Sequence, residues 1–206
     1  SCSEFNNIIK SGDYLYRYEA AKQYYADGKY TRAVVLLQDV ISVLKGTDKG
    51  EESLYLLGIS AYKARDYEAA ANFLKKYYET YTNGLYTQDA RFYNAMALYK
   101  NTPEPKLDQT ETYEAVTAFQ NLLEIFPQSI YAKESQDMIF KLQDKLVEKE
   151  YLSAKTYFDL GSYFGNCNFG GNNYQACIIT AENAMRDYPY SKRREDFAIM
   201  LLRVKY

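Results

Sequence analysis

The 206-residue sequence predicts an all-α protein, an α-α superhelix of stacked helix pairs, and three observations carry that reading. Small residues recur 37 positions apart at Ala21, Gly58 and Ala95, each with an aromatic three places before and four after: Tyr18 and Tyr25, Tyr55 and Tyr62, Phe92 and Tyr99. A second half-unit repeats at the same interval, Gly28-Lys29-Tyr30 with Ala33 against Arg65-Asp66-Tyr67 with Ala70. Breakers are scarce, with 10 glycines and 4 prolines beside 24 tyrosines and 10 phenylalanines. Small residues at such a spacing let antiparallel helices approach closely, while rings one turn away fill the groove beside them.

The elements follow in order. Residues 1–12 are expected as an N-terminal tether, polar apart from Phe5, Ile8 and Ile9. Helices are expected near 13–27, 30–45, 50–64, 67–81, 86–100, 109–126, 131–161, 174–187 and 192–206, which makes four pairs and one C-terminal helix. Asp48 with Glu51, and Asp108 with Glu111, read as capping boxes that start helices. Asn101-Thr102-Pro103-Glu104-Pro105 is too rich in Pro to be helical. No breaker interrupts 131–160, so one helix of about 30 residues is expected there, with Ala154, Tyr151 and Phe158 as its small and aromatic positions. Residues 165–173, with three Gly and four Asn, read as a loop. Phe197 to Leu202 gives the last helix an apolar face that needs a covering partner.

These half-units resemble the tetratricopeptide repeat, whose pattern is an aromatic, Leu-Gly, an aromatic, a turn with Gly, Tyr and Ala, and a closing Pro. Phe126-Pro127 and Tyr188-Pro189 supply that closing proline. A narrower resemblance lies in Met138 to Leu146 followed by Glu150 to Phe158, and in Arg186-Asp187-Tyr188-Pro189. Those stretches are similar to the long helix and the fourth-repeat end of the BamD family, tetratricopeptide lipoproteins of the outer-membrane β-barrel assembly machinery. Repeats then fall near 13–46, 50–83, 86–127 and 131–189, with a partial one at 192–206. Ser1-Cys2 looks like the end of a bacterial lipobox, so the resemblance implies a covalent lipid on Cys2 and no other cofactor. It also implies a periplasmic, outer-membrane location. The partners it implies are unfolded outer-membrane proteins and the periplasmic domains of the barrel-forming subunit.

Composition narrows the chemistry. With no histidine, Ser-His and Cys-His catalysis and the commonest zinc sites are excluded. The net charge of −2 sets up no field for a polyanion, so nucleic acid is not an expected partner. No Walker-type loop and no GxGxxG occurs, and the carboxylates show no acid/base spacing. The expectation is a binding protein rather than an enzyme.

The candidate peptide groove comprises Tyr18, Tyr25, Tyr55, Tyr62, Phe92 and Tyr99, continued by Tyr151 and Phe158. A ring with a polar tip and little side-chain entropy suits extended peptide segments, although the same positions also serve packing between helices. Lys192-Arg193-Arg194 is a candidate partner interface, because a positive cluster opposes the dipole at a helix start. Lys141, Lys145 and Lys149 with Asp144, Glu148 and Glu150 read as a solvated helix face. Cys167 and Cys177 would close a loop of about 11 residues if joined, worth roughly 2–3 kcal/mol. Cys177 equally fits as a free, buried small residue, and two thiols without His make no metal set. The alternative function is a surface lipoprotein that holds a glycan on aromatics, although the chain has no Trp to build such a platform.

Overall fold

The computed structural model describes residues 2–161 and 173–205, with side chains from Glu4 onward. Among them are ten helices and no strand. The first six are α1 (Cys2–Lys10), α2 (Tyr14–Ala26), α3 (Tyr30–Leu44), α4 (Gly50–Lys63), α5 (Tyr67–Thr80) and α6 (Thr87–Asn101). Then come α7 (Thr110–Ile125), the 30-residue α8 (Ala132–Gly161), α9 (Asn173–Asp187) and α10 (Arg194–Lys205). From α2 onward the elements match the sequence expectation to within two residues at each end.

The N-terminus departs from it. Residues expected as a tether form α1, because Phe5, Ile8 and Ile9 share one helical face. Ile8 is buried, and Phe5 meets the Tyr24 ring edge-on at 5.5 Å. Arg17 donates to the Ile9 carbonyl and pairs with Asp39 at 3.4 Å, which fixes α1 against the first helix pair.

The chain divides into two compact units, Ser1–Asn101 with Thr117–Ser135, and Thr102–Val116 with Gln136–Tyr206. In the first unit α2, α3, α4, α5 and α6 pack each on the next. Ala21, Ala33, Ala70 and Ala95 are fully buried where these helices meet. A Cβ on Gly58 would lie 2.6 Å from Leu74 Cδ2, so any larger residue there would have to displace the Leu74 side chain. Leu36, Leu37, Val40, Leu57 and Leu74 fill the space between, each contributing about 1.5–3 kcal/mol by leaving water.

The second unit has its own core of Val147 and Ala154 from α8, Cys177, Ala181 and Ala184 from α9, and Phe197 and Met200 from α10. Only part of the 197–202 apolar run enters it; Ile199 and Leu202 stay exposed. In α7 a threonine takes the place of the repeat's tyrosine. Thr112 and Ala115 are buried where repeats one and two have Tyr30 and Ala33 or Tyr67 and Ala70, and Tyr113 is exposed.

Neither expected capping box forms. Asp108 accepts from the Thr110 N–H in a local turn, and Thr47 rather than Asp48 takes the Lys49 N–H before α4. Glu51 instead bridges repeats, accepting from the Tyr77 hydroxyl and the Leu85 N–H, both at 2.6 Å. Tyr77 thereby closes its own repeat while Leu85 links to the next, and two phenols cross between repeats: Tyr18 donates to Glu52, and Tyr131 to Asp89 at 2.5 Å.

Burial first, then the carboxylate each one faces, pushes the pKa of Tyr18, Tyr77 and Tyr131 above the ordinary value near 10. Below pH 10 these phenols are protonated in both states and the ties are intact. Above it the unfolded chain loses protons that the folded chain keeps, so stability falls as pH rises. In an alkaline titration the last tyrosinate absorbance should therefore appear together with the loss of helical circular dichroism. Full tyrosinate absorbance with the helices intact would contradict this.

Candidate functional site

The aromatics at the −3 position, three residues before each small residue, are committed to joining repeats. Tyr86, just ahead of α6, lies flat on Tyr55 with centroids 4.3 Å apart and planes 3° from parallel. Tyr131, just ahead of α8, covers Phe92 in the same way at 4.2 Å and 10°. In the second unit the Arg193 guanidinium, just ahead of α10, sits 4.2 Å over Tyr151. Stacked rings and cation–ring contacts of this kind add about 0.5–1.5 kcal/mol beyond the area they bury. Tyr18 is 1% exposed, with Lys22 Nζ 5.3 Å from its ring centre.

The +4 aromatics close each helix pair on itself. Tyr25 meets Tyr30, and Tyr62 meets Tyr67, edge-to-face at 5.5 Å. Phe158 meets Tyr174 at 6.1 Å in the second unit. Each contact joins the end of a first helix to the start of the second, where the repeat carries a tyrosine.

The expected groove is therefore corrected at two of its six positions. Tyr18 and Phe92, at 1% and 4% exposure, are sealed between helices and present no ring to a ligand. Tyr25, Tyr55, Tyr62 and Tyr99 are half-buried. Tyr93 joins them from α6 and was not singled out by the sequence, because its place has no aromatic counterpart at Leu56 or Glu19. It packs against the clusters on both sides of α4 and meets the Tyr62 ring at 5.1 Å. Tyr86 and Tyr131 were missed too, although Leu85-Tyr86 and Ile130-Tyr131 are the same apolar–tyrosine pair ahead of α6 and α8.

The resulting face of α2, α4 and α6 combines half-buried rings, their hydroxyls, and the carboxylates Glu52 and Asp89. Burial raises the pKa of Tyr25, Tyr55, Tyr62 and Tyr93, so near neutral pH each stays a protonated donor. The hydrogen bond from Tyr18 holds the Glu52 carboxyl below its usual range, so it stays an acceptor. Donors and acceptors beside apolar rings suit the backbone and side chains of an extended peptide. Among the described residues no group of three His, Cys, Asp or Glu could hold a metal.

The charged candidates also change. Arg193 makes a bidentate pair with Glu148 at 2.8 and 2.9 Å and a third contact with Asp196 at 2.8 Å. It is thus an internal clamp between α8 and α10 rather than part of a free positive cluster. Arg194 is exposed and donates to the Met185 and Pro189 carbonyls, and Lys192 is exposed. The face of α8 expected to be solvated is tied down: Lys145 donates to Thr102 Oγ1 at 2.6 Å, and Lys149 to the Leu107 carbonyl at 2.8 Å. Burial pushes the pKa of Glu150 on that helix up and of Lys145 down. Cys177 is fully buried, with its thiol pKa raised by burial. Cys167, the rest of the 164–172 loop and the Cys2 side chain lie outside the described residues.

Among the described residues no helix is long and apolar enough to cross a membrane. A family model described as outer membrane lipoprotein, YfiO, matches residues 13–206. The chain is also 26% identical over 163 residues to a putative outer membrane protein assembly factor BamD of Aquifex aeolicus (strain VF5). That alignment covers 78% of this chain and 53% of the relative, so the chain spans about half the length of the curated protein it matches. With a match that runs from α2 through α10, the chain belongs to the YfiO family of outer membrane lipoproteins.

Proposed function

We propose that this chain is a non-enzymatic scaffold in outer-membrane protein assembly, held at the periplasmic face of the outer membrane by lipid on Cys2. Its α2–α4–α6 face receives extended, aromatic-rich segments of unfolded outer-membrane proteins, and its C-terminal helices bind periplasmic domains of the barrel-forming subunit. The observation that carries the substrate part is the set of half-buried tyrosines, Tyr25, Tyr55, Tyr62 and Tyr93, whose hydroxyls stay protonated, with Asp89 near Tyr55 and Tyr93. Family membership and the naming of the Aquifex relative as a putative outer membrane protein assembly factor support the setting. At the partner surface Lys192 and Arg194 are the available cations, since Arg193 is spent on Glu148 and Asp196.

Titrating the chain with a peptide from the terminal strand of an outer-membrane barrel tests the substrate surface. A Tyr62→Ala, Tyr93→Ala variant, folded by circular dichroism, should bind at least about tenfold more weakly, the loss of two anchoring rings. Unchanged affinity in that folded variant would remove the site. The anchor and the partner surface are read together from detergent-solubilised envelopes. Acyl mass should sit on Cys2, and Lys192→Glu with Arg194→Glu should reduce co-purification of the barrel-forming subunit. An unmodified Cys2, or full recovery of the subunit, counts against the respective half of the proposal.

A further inference from the structure

Gly28 and Arg65 stand 37 residues apart at the same point of the same turn. Gly28 has φ +73° and Arg65 φ +65°, the left-handed region that L side chains rarely adopt. Both turns carry the same backbone bonds: the Gly28 and Arg65 N–H reach Tyr25 and Tyr62 carbonyls at 3.0 Å, and the next residues reach Tyr24 and Ala61. A glycine at position 65 would make this turn without strain, as Gly28 does. The arginine is exposed and makes no ion pair among the described residues, so its side chain gains nothing inside the molecule for the strain it imposes.

Arg65 lies along an edge with other cations. Lys63 closes α4 beside it without an ion pair among the described residues, Lys29 is in the α2–α3 turn, and Lys100 is near the end of α6. The acids on that edge include Asp27, which accepts from Gln23 and Lys29, and Asp66, which caps α5 through the Ala69 N–H. Glu68 makes no ion pair among the described residues. The opposite edge, at the α3–α4 turn, holds Lys45 and Lys49 among Asp48, Glu51 and Glu52.

Helix α1 brings the N-terminus to the cationic edge. It runs back along α2, so that Phe5 touches Tyr24, and Arg32 lies 5.3 Å over the Phe5 ring and 5.6 Å over Tyr24. Cys2 begins the same helix one turn further on, beside the α2–α3 turn.

We propose that this edge, built on Arg65, Lys63, Lys100 and Lys29, is a contact surface for anionic phospholipid headgroups, and that α1 is the strut that sets it against the bilayer. The orientation rests on Cys2 being the lipidated residue; the charge and strain arguments do not. Ammonium and guanidinium groups near an anionic leaflet are each attracted, and the effect fades within a Debye length.

The test uses the full chain with Cys2→Ser, so that acylation plays no part, and vesicles of phosphatidylcholine with or without phosphatidylglycerol. The chain should sediment with the phosphatidylglycerol vesicles at low salt, at least about tenfold more tightly than with neutral ones, and release at high salt. A Lys63→Gln, Arg65→Gly, Lys100→Gln variant should lose most of that binding, while Lys45→Gln with Lys49→Gln should keep it. Arg65→Gly alone should weaken binding and raise the thermal midpoint, a pairing that a purely structural arginine does not produce. Equal affinity for neutral and anionic vesicles, or equal losses in the two multiple variants, overturns the proposal. Because the tested chain lacks Cys2, an unmodified Cys2 in native envelopes would defeat the anchor reading without altering these results.

Discussion

A flat side chain carried ahead of one first helix, laid over the ring at the −3 position of the first helix before it, is the contact on which the repeats depend. Tyr86 on Tyr55 and Tyr131 on Phe92 make it with parallel rings, and Arg193 on Tyr151 makes it with a guanidinium. Close approach at Ala21, Gly58, Ala95 and Ala154 brings the helices of a pair together, but it does not set one pair against the next. The stacks do that. The Leu85 N–H on Glu51 and the Tyr131 hydroxyl on Asp89 hold two of these junctions from their polar side, and the Tyr18 hydroxyl on Glu52 ties the first pair to the second.

Committing rings to junctions decides what remains for a ligand. Tyr18 and Phe92 are used up, and the rings left on the α2–α4–α6 face are half-buried. Such a face offers many modest contacts, in keeping with the extended-segment binding proposed above. The electropositive tip of α10 is reshaped by the same economy, because Arg193 both stacks on Tyr151 and bridges to Glu148.

Helices α2 to α6 were legible because a 37-residue spacing of small and aromatic residues is a direct record of helix crossings, and α7 to α10 because breakers mark their ends. Helix α1 was not, since three apolar residues among polar ones form a helical face only once Tyr24 and Arg17 are there to receive it. The groove was legible only in part. Periodicity shows which residues share a helix face, but not whether a residue 31 or 39 positions later, Tyr86 or Tyr131, will cover them. Glu51 shows the same limit: its local pattern suggested a cap, and a phenol from α5 with an N–H ahead of α6 offered better partners. Family membership supplied what neither spacing nor geometry holds, the outer-membrane setting.

A double-mutant cycle on Phe92 and Tyr131, read by urea unfolding of Phe92→Leu, Tyr131→Leu and the double variant, tests the stacking account most directly. A coupling energy of about 0.5–1.5 kcal/mol is predicted, beyond the loss of apolar area. Strict additivity of the two substitutions would mean that the rings lie together without holding the repeats together.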